Sequence, residues 1–269
     1  MELAAGASYA GARSMVTMKQ VGLNVASDPL MSLEYVGIKG GMVILVADDP
    51  GPISSQTEQD TRHFSRFSKL DPSSAQEAYE MIQEAFEYSE KYGTPVFLRP
   101  TTRVCHGYAS IMVKDETEYT HHQPEGFIKD SKRWVIFPRL SFMNHKKIEA
   151  RNQELSDIFS SYEKNTIHPS CDAFKDSKKG IATGGISYTY TMETLKKTGM
   201  VKTLKIATPH PFPEKLAVDF LSGLDEVLCL EELDPVIERE LIYICGKYLM
   251  EQGRLEGNTI VTTVMSNLG

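Results

Sequence analysis

The chain has no C-x-x-C pair, no block of basic residues, no secretory leader and no apolar run able to cross a bilayer. Each absence closes a class. Its four cysteines, Cys105, Cys171, Cys229 and Cys245, are widely scattered, so this chain alone is expected to form neither a zinc site nor an iron–sulfur cluster. The opening "MELAAGASYAGARS" lacks a basic start followed by an apolar stretch, which argues against secretion and so against disulfides. The longest apolar run, "GGMVILVA", falls far short of the roughly 20 residues a spanning helix needs. With 29 Lys and Arg against 36 Asp and Glu, the formal charge of −7 disfavours nucleic acid, whose backbone selects basic faces. No G-x-G-x-x-G, no G-x-x-x-x-G-K-[ST] and no G-x-S-x-G elbow occurs. A cytoplasmic protein with reduced thiols, bound to neither membrane nor nucleic acid, is the reading that remains.

What is present fits a soluble α/β protein, with 41% hydrophobic and 24% charged residues over 269 positions. Residues 2–12 are rich in Ala and Gly and read as a helix. "SMVTM" (14–18) is a short strand, and 21–38 is helical with a break where Asp28-Pro29 suits an N-cap and first helical position. "MVILVA" (42–47) is a continuous apolar run, as in a strand buried on both faces. "SSAQEAYEMIQEAFEYSEKYG" (73–93) is the clearest helix, with Ser73 and Gln76 as a capping box and Gly93 at its end. "PVFLRP" (95–100) is another strand. Residues 111–179 read as a connector carrying one helix near 144–163. A second strand–helix rhythm runs through "GIATGGISY", "TMETLKKTG", "VKTLKIAT", "PEKLAVDFLSG", "EVLCLEE" and "DPVIERELIYICGKYL". The expected fold is two α/β domains with mostly parallel sheets, spanning 1–110 and 180–269.

In such sheets ligands bind beyond the carboxyl ends of the strands. Two stretches fall there. "KQVGLN" follows strand 14–18 and puts Lys19, Gln20 and Asn24 where a structural turn needs only the glycine. "DDPGPISSQTEQDTR" follows strand 42–47 and is long for a connection, where two to six residues is usual. It offers Asp48, Asp49, Ser54, Ser55, Gln56, Glu58, Gln59, Asp60 and Arg62. A guanidinium there can grip a carboxylate with two parallel bonds. The competing reading is a solvated loop in which Arg62 pairs with Asp60 or Glu58. His121-His122 lies in a charged connector and reads as solvated rather than metal-binding. Cys105-His106 reads as adjacent strand residues facing opposite ways. Glu231-Glu232 ends a buried strand, and is read either as an acid/base pair or as one paired carboxylate beside a solvated one.

The strings "ELAAGASYAGARSMVTMKQVGLNVASDPLMSLEYVGIKGGMVILVADDPGPISSQTEQDTRHFSRFSKL" and "AQEAYEMIQEAFEYSEKYGTPVFLRPTTRV" resemble the α subunits of indolepyruvate:ferredoxin oxidoreductases. These belong to the thiamine-diphosphate-dependent 2-oxoacid:ferredoxin oxidoreductases. The resemblance returns in "GIATGGISYTYTMETLK", "LKIATPHPFPEKL" and "VLCLEELDPVIERELI", covering most of 1–110 and 180–250. It implies a pyrimidine-type thiamine-diphosphate domain first and a transketolase C-terminal-like domain second. It also implies oxidative decarboxylation of an aryl pyruvate, with coenzyme A taking the acyl group and ferredoxin the electrons. The partners implied are a β subunit, the remaining α-subunit domains and ferredoxin, in an oligomer.

By the same resemblance Lys19, Gln20 and Asn24 line the cofactor pocket, while Arg62, with Gln56 and Ser55, meets the substrate. The family's ring-polarising glutamate falls upstream of "ELAAGAS", so no catalytic residue is expected in this chain. The Gly-Thr-Pro loop that the family usually carries earlier than this stretch, its G-D-G motif for Mg²⁺ and diphosphate, and its 4Fe–4S cysteine clusters are also missing. The chain alone is therefore expected to be inactive, with no metal ligand of its own and its cofactor site completed elsewhere. Gln20 stands where the family often has His, and "FSKLDPSS" is about three residues shorter than in family members, which usually carry an apolar strand there. Other 2-oxoacid:ferredoxin oxidoreductases, acting on pyruvate or 2-oxoglutarate, and a non-catalytic paralogue used in assembly are the alternatives.

Overall fold

Apolar strands alternate with amphipathic helices, and the strands gather into two sheets, each made mostly of parallel pairs. The computed structural model describes residues 1–51, 55–119, 122–250, 253 and 260–265. Ser54 and His121 lie outside them. Helix α1 (Glu2–Tyr9) leads into strand β1 (Ser14–Lys19), followed by α2 (Gln20–Val25), α3 (Ser27–Val36) and β2 (Met42–Ala47). Strand β3 (Ser68–Leu70), helix α4 (Ala75–Tyr92) and strand β4 (Val96–Leu98) complete the first sheet, in the order β1-β2-β4-β3. Strand β2 pairs in parallel with β1 and β4, and four of its six residues are buried. Burial on both faces is why it reads as unbroken Val, Ile and Leu.

Three local features differ from the sequence reading. The break between α2 and α3 falls at Ala26, which N-caps α3, so Asp28 sits inside the first turn rather than at its cap. Ser74, not Ser73, caps α4 by accepting from the Glu77 amide at 3.2 Å, and Glu77 Oε2 answers by accepting from the Ser73 amide at 2.7 Å. The expected capping box is therefore not formed: Glu77 answers at Ser73, one residue before the cap, and Gln76 bonds Glu80 at 2.9 Å instead. Strand β3 was not legible because its sequence, Ser-Lys-Leu, is largely polar. Its backbone pairs β4 on one side, and on the other the Lys69 amide donates to the His210 carbonyl at 2.7 Å. The Lys69 ammonium is buried and donates to the carbonyls of Ser65 and Phe67, both at 3.1 Å; burial pushes its pKa down to about 7.

Two short helices, α5 (Thr102–His106) and α6 (Ser131–Trp134), precede α7 (Pro138–Phe159). Cys105 and His106 thus lie in a helical turn, not a strand. The second sheet takes β5 (Thr166–His168), β6 (Lys179–Gly184), β7 (Lys202–Ile206), β8 (Glu226–Glu231) and β9 (Ile260–Met265) in the order β5-β7-β6-β8-β9. Helices α8 (Gly185–Thr198), α9 (Glu214–Leu221) and α10 (Val236–Ile244) connect its strands. Only β5 is antiparallel, and it comes from the stretch read as connector, so the second sheet begins before residue 180. "GIATGGISY" is also divided: the strand stops at Gly184 and the helix starts at Gly185. A shared apolar cluster including Val43, Leu98, Leu155, Phe159 and Ala207 joins the two halves through α7. No helix among the described residues is long and apolar enough to cross a membrane.

Ser89 ties α4 to the sheet. Its buried hydroxyl accepts from the Met42 amide at 2.8 Å and donates to the Thr94 carbonyl at 2.8 Å. Ser89→Ala strands both backbone groups away from water and should cost about 1–3 kcal/mol. Urea unfolding should show a lower midpoint at unchanged slope. A loss below about 0.5 kcal/mol would mean that other groups satisfy them.

Candidate functional site at the sheet's carboxyl edge

Parallel pairing places Lys19 beside Ala47, so the α2 turn and the loop after β2 leave the sheet side by side. Asp49 gathers them. Its Oδ2 accepts from Ser55 Oγ at 2.5 Å and Lys19 Nζ at 3.3 Å, and its Oδ1 from Thr102 Oγ1 at 2.7 Å. The Ser55 hydrogen bond above all holds the Asp49 carboxyl below its usual range; Thr102 and Lys19 add to it, against partial burial. Gln20 is fully buried, and its Nε2 donates to the Thr57 carbonyl at 3.0 Å. Its Oε1 has no hydrogen-bond partner among the described residues. A buried acceptor left alone costs about 1–3 kcal/mol. A ligand N–H, such as that of an aminopyrimidine, is the kind of group it fits. Lys19, Gln20 and Ser55 are thus brought together, whereas Asn24 and Gln56 are exposed.

Arg62 is not presented to that edge as a free cation. It sits on a single 3-10 turn, Thr61–His63, with only 3% of its side chain exposed. Its Nε and Nη2 both bond Asp60, at 2.9 and 2.5 Å. Nη1 reaches Glu231 Oε2 at 2.8 Å, and Nη2 also donates to the carbonyls of Glu232 and Asp234, each at 2.7 Å. The expected substrate grip is therefore corrected: this guanidinium is already filled by the chain's own oxygens. The solvated-loop alternative named the right partner, Asp60, and the wrong environment.

Arg99, which the sequence reading passed over, occupies the next position in the same network. Its Nε donates to Asp48 Oδ2 at 2.5 Å and its Nη1 to Asp71 Oδ2 at 3.1 Å, while Nη2 lies 3.6 Å from Asp60 Oδ1. Asp48 is held further by the Thr61 amide at 3.0 Å and hydroxyl at 2.7 Å. The available signal was the register: β2 pairs with β4, so the Asp-Asp that follows one strand stands beside the Arg that follows the other. Glu231, from β8, also accepts from the amides of Val236, Ile237 and Glu238 at 2.8–3.1 Å, where the dipole of α10 favours negative charge. Its neighbour Glu232 is half-buried rather than solvated, and burial pushes its carboxyl up.

Burial alone would raise Asp60, yet Arg99 and Arg62 hold it well below the carboxylate range. For Asp71 the balance runs the other way: burial raises it to about 6 despite Arg99 and Arg62. The Asp71 carboxylate comes within 3.3 Å of where a Cβ on Gly185 would stand, and Gly185 has φ +52°. Only glycine admits both the backbone angle and the close approach. Among the described residues, Asp60, His63 and Asp234 form the one grouping with metal-ligand spacing. His63 Nε2 already meets Asp234 Oδ2 at 2.9 Å, and Arg62 holds Asp60, so the grouping is an ion-pair cluster that disfavours a dication.

Residues 1–168 match the family "pyruvate flavodoxin/ferredoxin oxidoreductase, thiamine diP-bdg". Over 265 residues the chain is 40% identical to the indolepyruvate oxidoreductase subunit IorA of Methanothermobacter thermautotrophicus, covering 96% of this chain and 42% of that protein. The IorA of Pyrococcus abyssi is 41% identical over 248 residues, covering 89% and 38%. The chain thus spans about two fifths of the length of these curated relatives. A 2-oxoglutarate:ferredoxin oxidoreductase from Magnetococcus marinus shares the fold over 99% of this chain and 52% of its own, with TM-score 0.66 and 16% identity.

Two outcomes test the site's electrostatics. Arg62→Ala removes the guanidinium between buried Asp60 and Glu231, leaving Asp60 only Arg99 at 3.6 Å, and should destabilise the fold by about 3–5 kcal/mol. Loss of turnover at an unchanged melting temperature would instead return Arg62 to the substrate. Asp71 titrates higher in the folded chain, about 6, than its ordinary 3.8. The folded state therefore binds the extra proton in this window, and stability falls as pH rises through it. Relative to wild type, Asp71→Asn should gain on the order of 2–3 kcal/mol between about pH 4 and pH 7. A stability difference that stays flat over that range would show an ionised Asp71 throughout.

Proposed function

The chain belongs to the thiamine-diphosphate-binding family of pyruvate flavodoxin/ferredoxin oxidoreductases, and from that premise we propose that it helps oxidise aryl pyruvates such as indolepyruvate. The substrate loses carbon dioxide, two electrons pass to ferredoxin, and the acyl group passes to coenzyme A. Identity of about 40% to proteins named indolepyruvate oxidoreductase subunits carries the choice of substrate. Residues 1–110 act as the pyrimidine-side domain and 180–269 as a transketolase C-terminal-like domain, with 111–179 between them.

Thiamine diphosphate, when bound, supplies the electron sink for decarboxylation. The orphaned Oε1 of buried Gln20 fits it, offering an acceptor to the aminopyrimidine. Lys19, Asp49, Ser55 and Thr102 hold the pocket wall through hydrogen bonds made before any ligand arrives, which is what preorganisation requires. Asn24 and Gln56 are exposed at its rim. Arg62 and Arg99 act as positioning residues that fix this wall against the second domain. Mg²⁺ with the diphosphate, the ring-polarising glutamate and the 4Fe–4S clusters belong to other parts of a cytoplasmic complex that includes a β subunit.

The test is turnover in the assembled oxidoreductase containing this chain. Indolepyruvate should exceed pyruvate and 2-oxoglutarate in kcat/KM by roughly tenfold or more, about 1.4 kcal/mol of transition-state preference. Gln20→Leu should raise the half-saturating thiamine diphosphate concentration by a similar factor while the melting temperature holds. Preference for either smaller 2-oxo acid would overturn the substrate assignment, and unchanged cofactor affinity would remove Gln20 from the site.

A further inference from the structure

At the opposite edge of the first sheet, the C-termini of α3 and α4 meet α6 and α7 around a cavity of about 650 Å³. That volume lies within the usual range for small-molecule sites, roughly 300–1,000 Å³. Five cations line it: Lys91, Lys132, Arg133, Lys147 and Arg151. None has a carboxylate within 4.0 Å among the described residues, although the chain as a whole carries a net charge of −7. The acids in the lining are Glu34, Asp130 and Glu154. Glu34 is buried and accepts from the Arg66 amide at 3.1 Å, and Asp130 caps α6 through the Lys132 amide at 2.9 Å.

Cations near helix C-termini can be there for the helices alone. Arg133 fits that account, because its Nη2 donates to the Ile38 carbonyl at 2.8 Å. Lys91, in the last turn of α4 and 5.1 Å from the centroid of the Tyr92 ring, fits it too. Lys147 and Arg151 do not, since they lie in α7 away from its last turn. The Nε and Nη2 of Arg151 are shielded from solvent without a hydrogen-bond partner among the described residues. Burial without an ion pair lowers its pKa, with Glu34 only partly opposing. Tyr35, Tyr92 and Ile148 supply an apolar wall to the same cavity.

We propose that this cavity binds a phosphorylated small molecule with a ring or other apolar body, at a site separate from that of Gln20 and Asp49. The lysines and Arg151 take the phosphates, and the tyrosines take the body. The site lies at the amino ends of β2 and β4, a strand length of about 20 Å from Asp49. Its occupation does not depend on the reading given for the carboxyl edge.

Calorimetry on the 269-residue chain with ADP and with inorganic pyrophosphate tests it. At low ionic strength ADP should bind at roughly 100 µM or tighter, with pyrophosphate weaker. The exposed lysines can be removed without touching the core. Lys91→Gln/Lys132→Gln/Lys147→Gln should weaken ADP binding about tenfold, and so should Arg151→Gln. Lys178→Gln/Lys179→Gln/Lys197→Gln makes the same change in net charge around β6 and α8 and should leave the affinity within about twofold. Absence of heat with both probes would overturn the proposal. So would affinity that falls equally in both triple variants, or in neither.

Discussion

Two buried guanidiniums hold the molecule's shape at the point where its halves meet. Arg62 and Arg99 together contact Asp48, Asp60, Asp71 and Glu231, which come from the loop after β2, the end of β3 and the end of β8. Charges this deep are costly unless each finds its counterpart and its remaining hydrogen bonds are made. That requirement sets the relative position of the two sheets more narrowly than apolar contact could, since greasy surfaces slide and bidentate forks do not. Four carboxylates against two guanidiniums leave a negative excess. It is met by the α10 amides on Glu231 and by a raised proton affinity on Asp71.

The elements that bury apolar faces were legible. Strand 42–47, the helix ending at Gly93 and the later strand–helix alternation all follow from periodicity and punctuation, which are local properties. The misses are places where tertiary structure overrides local preference. Ser-Lys-Leu becomes a strand because β4 and the segment near His210 bracket it and give its backbone partners. The sequence window contains neither. Strand β5 is likewise recruited by β7 from a stretch that looks like connector.

Which residues gather at the sheet's carboxyl edge was partly legible; the surroundings of Arg62 were not. Placing Lys19, Gln20 and Ser55 at one edge needed only the parallel order of β1 and β2. Deciding what Arg62 does needed Glu231, 169 residues away. A carboxylate from a substrate and one from a distant strand look the same to a guanidinium, so only the fold could choose between them. Arg99 went unnoticed because a charged residue ending a buried strand looks like its boundary. Here it is the centre of the network.

The span of that contact has a kinetic side. Arg62 and Glu231 cannot meet until both sheets exist, and closing so long a loop gives up chain entropy well before any bond is made in return. The Arg62–Glu231 link is therefore among the last to form, whereas the two guanidiniums between them meet Asp48, Asp60 and Asp71 within the first half. Glu231 surrenders its hydration only as the halves dock. Assembly in this order lets desolvation act as a check: a mispositioned second half would strand charges out of solvent and be expelled before it could settle.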